Sequence, residues 1–340
     1  MSLPYKSFSD LPDYDSLANK ERFWVWGPPG SHEEGMGMMN LLTPKHVATV
    51  VAPEIRTGER CGLGWEFHKL ENPPFGRVNY QMTVLPIAHG AFDDQYTFNP
   101  QQSSQWDGFR HHSQPTTHSH DPADAAKVAA GADDCLWYGG TTREEISTPM
   151  NRRIGMQHWA QDGIVARGIL LDYASWAKEV KGISYSSFSM HEIKLSELKE
   201  VMEYYKVESK PGDMLFVRIG LIEEWNGYTQ EQREAYQAAD VPQHAGLEET
   251  EEVLRWLWNS HFVAVASDAV SWEVFPPQSE EFNQHHHLLA GWGVPIGEMF
   301  DLEALSALCK KLGRYSFFVS SVPSNAVGGV SSPPNAVAIF

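Results

Sequence analysis

The densest run of chemistry-bearing side chains is SSQWDGFRHH, residues 103–112. Asp107 and His111 stand four apart, and Gln105 lies two before Asp107. If the stretch is extended, Gln105 and Asp107 point to the same side, because strand side chains alternate. A carboxylate held beside an imidazole can ligate a metal ion or move a proton as an acid–base pair. The plainer alternative is a hydrogen-bonded surface loop, with Asp107 capping a turn and His111 facing water. A second run, FNQHHHLLAGWGVPIGE, sets His285, His286 and His287 before an apolar pair and Glu298 after a glycine-rich turn. Histidine and glutamate suit Zn²⁺ or Mn²⁺. Adjacent histidines cannot all face one ion, so one or two would serve. A third group is the acids near the ends of apolar runs: Asp172 in ILLDYA, and Asp268 with Glu273 in VAVASDAVSWE. Strand ends line ligand crevices in α/β folds, but acids there also cap helices. Capping is the favoured reading for Asp172, and the two readings balance for Asp268.

Other familiar chemistries are missing. GPPGS at 27–31 lacks the GK[ST] ending of a phosphate loop. There is no GxSxG nucleophile elbow. Cys61, Cys135 and Cys309 are odd in number and widely spaced, without zinc-type pairing or a disulfide framework. His118 and His120 in PTTHSHD are either support for the site or plain polar residues.

The elements that would position these groups alternate along the chain. Thr43 and Pro44 open a short helix that ends near Gly58, and residues 80–88 read as a strand. Residues 90–125 form a polar stretch too long for an ordinary loop, which marks it as a functional candidate. A helix, a turn at Gly163 and a buried strand ending at Asp172 follow over 158–177. Residues 195–207, 248–262 and 300–314 carry helical spacing. Residues 211–220, 263–276 and 315–327 read as apolar strands. Such mixing predicts one α/β domain with a mixed sheet over 1–340, with residues 1–25 as a peripheral N-terminal arm.

Composition narrows the function. The 340 residues are 42% hydrophobic and 21% charged, enough for a sizeable core. A net charge of −18 argues against nucleic acid and against anionic membranes as partners. No stretch nears the roughly 18 apolar residues of a membrane helix. The first residues do not read as a secretory signal and NAVAIF is not a peroxisomal address. A cytoplasmic protein acting on a small molecule is expected.

Taken together, SSQWDGFRHH, HWAQDGIVARGILLDYA, PGDMLFVRIG, VAVASDAVSWE, LLAGWGVPIGEMFDLEAL and the closing SSPPNAVAIF resemble the cyclase family. That is the metal-dependent group that includes bacterial kynurenine formamidase and isatin hydrolase. The resemblance spans roughly residues 20–340 and is closest to long fungal-type members. It implies an α/β swivelling β/β/α fold and a homodimer or homotetramer. The family signature, HGTHxDxxxH, places its metal-binding aspartate on Asp107 and its catalytic last histidine on His111. Its two leading histidines fall on Gln102 and Gln105, a departure from the pattern. An amide oxygen is a poorer Zn²⁺ ligand than imidazole, and harder oxygen sites favour Mn²⁺ or Mg²⁺. The later ligands fall on His285, or His286 with a one-residue shift, and on Glu298.

Two enzymatic readings follow. In the first, a divalent metal (Mn²⁺ or Zn²⁺) on Gln105, Asp107, His285 and Glu298 activates water. His111 shuttles the proton, and an amide, lactam, lactone or ester is hydrolysed. Trp106, Phe109, Arg110 and Trp292 are then the candidate substrate-binding residues. In the second, the glutamines donate hydrogen bonds. Asp107 and His111 act without metal as an acid/base pair in a cyclisation, dehydration or isomerisation. A binding protein that has lost the chemistry is a third, minor reading.

Overall fold

The structure is a computed structural model that describes residues 3–116 and 135–340. His118 and His120 lie outside the described residues. Four parallel strands make the centre of a nine-stranded sheet: Ile164–Leu171, Asp213–Val217, Ala264–Ser267 and Ile296–Glu298. Strands buried on both faces must be apolar throughout rather than alternating. DMLFV and AVAS are buried at every residue and apolar except for Asp213 and Ser267 at their ends. Beyond Ile164–Leu171 the sheet continues antiparallel through Ser316–Ser321, Ala336–Ile339 and Arg60–Gly62. Beyond Ile296–Glu298 it continues antiparallel through Gln105–Asp107 and Ser331–Ser332. The sheet is therefore mixed, as the alternation of elements requires. Among the described residues, no helix is long and apolar enough to cross a membrane.

Amphipathic helices cover the sheet. Glu251–Asn259 is capped by Thr250, whose side chain accepts from Val253 N, and it buries Val253, Leu254, Leu257 and Trp258. Glu303–Leu312 closes on Gly313, which takes the left-handed conformation at φ 61° that suits glycine at a helix end. Thr43 caps Pro44–His46 as expected, by accepting from His46 N. The helical path then passes through a wider turn, Val47–Val51, before ending at Ala52–Glu54.

Two expectations change. The N-terminal segment is not a peripheral arm, because Phe8, Leu11, Tyr14 and Phe23 are buried in the main apolar cluster. It is also pinned by polar bonds from the helix Glu251–Asn259, with Trp258 Nε1 donating to Pro12 O at 2.8 Å and Tyr14 N donating to Asn259 Oδ1 at 2.8 Å. Residues 80–88 do form a strand, but one that pairs only with Ala91–Thr97 in a hairpin outside the sheet. Every residue of Gln81–Ala88 is exposed.

One charged residue interrupts the central strand. Arg167 is buried, with Nε 3.0 Å from Glu54 Oε1 and Nη1 2.6 Å from Asp213 Oδ2. It ties the 44–54 helical segment to the sheet. Removing one member of a buried ion network leaves the others uncompensated. Arg167→Ala is expected to lower unfolding free energy by about 3–5 kcal/mol in urea titration.

Candidate functional site

The site is built on two short strands at one side of the sheet. Gln105–Asp107 pairs antiparallel with Ile296–Glu298, setting Glu298 opposite Gln105 and Asp107 opposite Ile296. Because side chains alternate, Gln105 and Asp107 share a face and Trp106 points to the other. The expected same-side placement of Gln105 and Asp107 is what the structure has. Gln105 Nε2 donates to Glu298 Oε2 at 2.7 Å and to Asp107 Oδ2 at 3.5 Å. His285 arrives from the chain entering the helical turn His286–Trp292, which is wound as a π-helix, a form frequent at functional sites. Its Nε2 lies 3.4 Å from Glu298 Oε1, and its Nδ1 2.7 Å from Glu273 Oε1. His111 Nε2 is 3.9 Å from Asp107 Oδ2. One ligand atom from each of Asp107, His111 and His285 lies within 4.8 Å of the other two. So Gln105, Asp107 and His111 from one segment and His285 and Glu298 from another, far along the chain, converge.

Burial sets the electrostatics. Taking Asp107 and Glu298 out of water raises both above the usual carboxylate range, and for Glu298 the neighbouring Asp107 charge adds to it. Burial opposes a charge on His285, but Glu273 and then Glu298 outweigh it and hold this imidazole well above its ordinary value. His111 and His112 are each pushed down to about 3, first by burial and then by the charge on His285. His286 is also pushed down to about 3, by burial and then by His112 and His287.

A divalent cation fits this donor set. Two buried carboxylates side by side repel unless a positive charge lies between them. Gln105 Oε1 and Glu273 Oε2 are buried polar atoms without a hydrogen-bond partner. The Glu273–His285 contact is also the arrangement by which a carboxylate fixes the tautomer of a ligating histidine. Asp107, His285 and Glu298, with Gln105 Oε1, would hold the ion.

A cavity of about 330 Å³ opens on these groups. His111, His112, Glu273, His285 and Glu298 form its polar floor, and Phe75, Arg77, Val270, Phe275 and Pro277 its walls. A larger groove of about 580 Å³, bounded by Tyr185, Glu223, Glu224 and Tyr228, has no histidine in its lining. Asp268 sits behind that groove but accepts Ile219 N and Gly220 N, and burial raises it to about 7. Asp172 accepts Ser175 N and pairs with Arg218 at 3.0 Å, the capping role favoured for it. Neither acid lines the 330 Å³ cavity.

Several expectations are corrected. Trp106 is fully buried, its Nε1 donating to Ser321 Oγ at 2.9 Å and its ring against Phe300. Phe109 packs on Tyr138 and Trp159. Trp292 donates to Lys20 O at 2.7 Å and packs on Trp258 and Tyr14, holding the N-terminal segment. Arg110 gives its two Nη groups to the carbonyls of Glu145, Ile146, Asn151 and Arg153. None of the four lines the cavity. Gln102 also turns away, donating to Phe67 O and Leu70 O. The tight turn Pro100–Gln102 rotates successive side chains apart, so Gln101 enters the site instead. Gln101 Nε2 lies 2.9 Å from Asp107 Oδ1 and 3.0 Å from His111 Nδ1. Of the three adjacent histidines, His285 faces the carboxylates, His286 stacks towards His112 at 5.1 Å, and His287 bonds Asn283 O. Gln101, Arg77 and the pairing role of Glu273 were not found from sequence. Nothing in the QQ doublet distinguishes Gln101 from Gln102, and Arg77 lies in no motif.

Towards one end of the mixed sheet, buried carboxylates and imidazoles meet at a small cavity, and Asp107, His111 and His285 form a group that could hold a metal ion. The Cyclase family model matches residues 19–274, and the chain belongs to that family. In fold it is similar to a crystal structure of a novel cyclase, with a TM-score of 0.74 and 22% identity over 91% of this chain and 97% of that one. It is also similar to isatin hydrolase A from Labrenzia aggregata, with a TM-score of 0.55 and 12% identity over 86% of this chain and 97% of that one. Isatin hydrolase A from Ralstonia solanacearum gives 0.55 and 12%, over 87% and 97%. No curated protein sequence matches the chain.

The placement of Arg110 yields a test. A hydrogen bond from a charged donor contributes about 1.5–3 kcal/mol. Arg110→Leu is expected to cost at least that much in denaturant unfolding and to leave ligand affinity in the cavity at the wild-type value. A weakened affinity with unchanged stability would return Arg110 to the substrate site.

Proposed function

We propose that the protein is a metal-dependent hydrolase that cleaves an amide, lactam, lactone or ester of a small, aromatic molecule. The observation that carries this is the convergence of Asp107, His111 and His285, whose ligand atoms lie within 4.8 Å of one another, with Glu298 3.4 Å from His285 and an unpartnered Gln105 Oε1 beside them. A divalent ion held there, Mn²⁺ or Zn²⁺, would lower the pKa of a water molecule and polarise a carbonyl. The chain's own residues do the rest. Glu273 orients His285 through Nδ1. His111 is the group that moves protons. It shows 23% of its side chain to the cavity whereas Asp107 shows none, and burial keeps the imidazole neutral and able to accept. It takes the proton of the attacking water and returns it to the leaving nitrogen or oxygen. Phe75, Phe275 and Val270 exclude water around an apolar body, and about 330 Å³ is a volume suited to a compact ring system.

One observation favours the metal-free acid/base reading, a cyclase, dehydratase or isomerase. Gln101 Nε2 already bridges Asp107 and His111, so these two are linked without any ion. Metal content of as-purified protein, measured by inductively coupled plasma mass spectrometry, decides. Near-stoichiometric metal in wild type that falls in Asp107→Ala is the expected result, and a folded, metal-free wild type would sink the hydrolase reading. His111→Ala should cost about 10²–10⁴ in rate while keeping its metal. Loss of the metal in that variant would make His111 a ligand rather than the proton carrier.

The reading includes a cytoplasmic homodimer or homotetramer. A two-stranded hairpin standing alone is marginal in water. This one exposes Met82, Val84, Ile87, Phe92 and Tyr96, a surface that pairing between copies would cover. Sedimentation velocity should show an oligomer in wild type that dissociates in Val84→Asp/Phe92→Asp. A monomeric wild type would remove this element.

A further inference from the structure

The site holds a cation that neither the ligand set nor the proton transfer uses. Arg77 lines the cavity together with the imidazoles, in the loop Pro73-Pro74-Phe75-Gly76-Arg77. Its Nη1 donates to Gln101 O at 2.7 Å, which fixes the guanidinium beside the residue that bridges Asp107 and His111. Its plane lies over the Phe75 ring, 5.1 Å from the centroid. Among the described residues it makes no ion pair. That contrasts with Arg153, Arg167, Arg218 and Arg255, each held by carboxylates. A guanidinium has five donors in a rigid fork that matches a carboxylate. One donor is spent on the Gln101 carbonyl, and the charge stands at the wall of an apolar, aromatic cavity in a protein of net charge −18.

We propose that Arg77 is a specificity-determining residue that binds a carboxylate on the substrate, so that the cavity selects an aromatic carboxylate over its neutral analogue. The aryl body would lie among Phe75, Phe275 and Val270, and the carboxylate would pair with the guanidinium. This rests on reading the cavity as the substrate site, but not on hydrolysis or on the metal. Gln101, whose carbonyl holds the Arg77 guanidinium, links it to the Asp107–His111 pair. A substrate carboxylate would answer it and leave the floor of the cavity to the carbonyl.

The test is binding without turnover. Isothermal titration calorimetry of the as-purified protein with benzoate and with benzamide compares a charged and a neutral probe of one shape. Wild type should bind benzoate at least about tenfold tighter than benzamide, a difference of about 1.4 kcal/mol. Arg77→Gln should erase that preference by lowering benzoate affinity and not benzamide affinity. Arg77→Lys, which keeps the charge and loses the fork, should retain part of it. Raising ionic strength should shrink the preference in wild type, a readout that needs no variant to fold. Equal affinity for the two probes, no binding of either, or benzoate affinity unchanged in Arg77→Gln would overturn the assignment. Because no step is catalysed, a metal-free or inactive protein that still prefers benzoate through Arg77 upholds this inference while the hydrolase reading fails.

Discussion

The constraint on which the site depends is the burial of two carboxylates, Asp107 and Glu298, next to each other. Burying one ionised acid is costly, and burying two together is worse unless positive charge and hydrogen-bond donors surround them. Much of the local architecture answers that demand. Gln105 donates to Glu298 and, more weakly, to Asp107, Gln101 donates to Asp107, and His285 is drawn in between Glu298 and Glu273. A protein has no reason to assemble such a cluster for stability, since apolar side chains of similar volume would serve better. The sheet holds the cluster in place.

The sheet manages this through two strands of three residues each. Gln105–Asp107 and Ile296–Glu298 are too short to be stable alone. They are held because each also pairs with a further strand, Ser331–Ser332 on one side and Ala264–Ser267 on the other. The alternation of a strand puts Gln105 and Asp107 on the face that meets Glu298 and Gln101, and Trp106 into the core, where it packs on Phe300. One tryptophan thus anchors the strand that carries two site residues. Behind the strands, Arg110 fastens the 145–153 segment by its carbonyls, and Trp292 fastens the N-terminal segment. The aromatic and cationic residues nearest the site in sequence therefore support the fold. The cavity walls come from residues far away, Phe75, Arg77 and Phe275.

The exchange of the two leading histidines for glutamines has an asymmetric result. Gln105 remains in the site, its amide nitrogen towards Glu298 and its oxygen unpartnered. Gln102 has left it and binds backbone carbonyls instead. A neutral amide both donates and accepts, so it can bridge carboxylates in a way that a metal-ligating imidazole does not. The site thus carries two side-chain amides, Gln101 and Gln105, beside its carboxylates.

Sequence alone determined the α/β alternation, the four long apolar runs and the helix caps at Thr43 and Gly313, because these follow from local periodicity and turn chemistry. It also determined Asp107, His111, His285 and Glu298 as candidates, since few residue types can ligate or move protons. Only the tertiary structure decided which neighbours of those residues face the cavity. Trp106, Phe109, Arg110 and Trp292 look like substrate contacts when read along the chain, yet each points into the protein. The direction of a side chain depends on strand register and on the turn before it, and both are set by long-range pairing. The roles of Gln101, Glu273 and Arg77 belong to the same category. They exist only because Gln105–Asp107, Ile296–Glu298, the entry to the His286–Trp292 turn and the 73–77 loop meet at one point, and that meeting is fixed by the packing of the whole sheet.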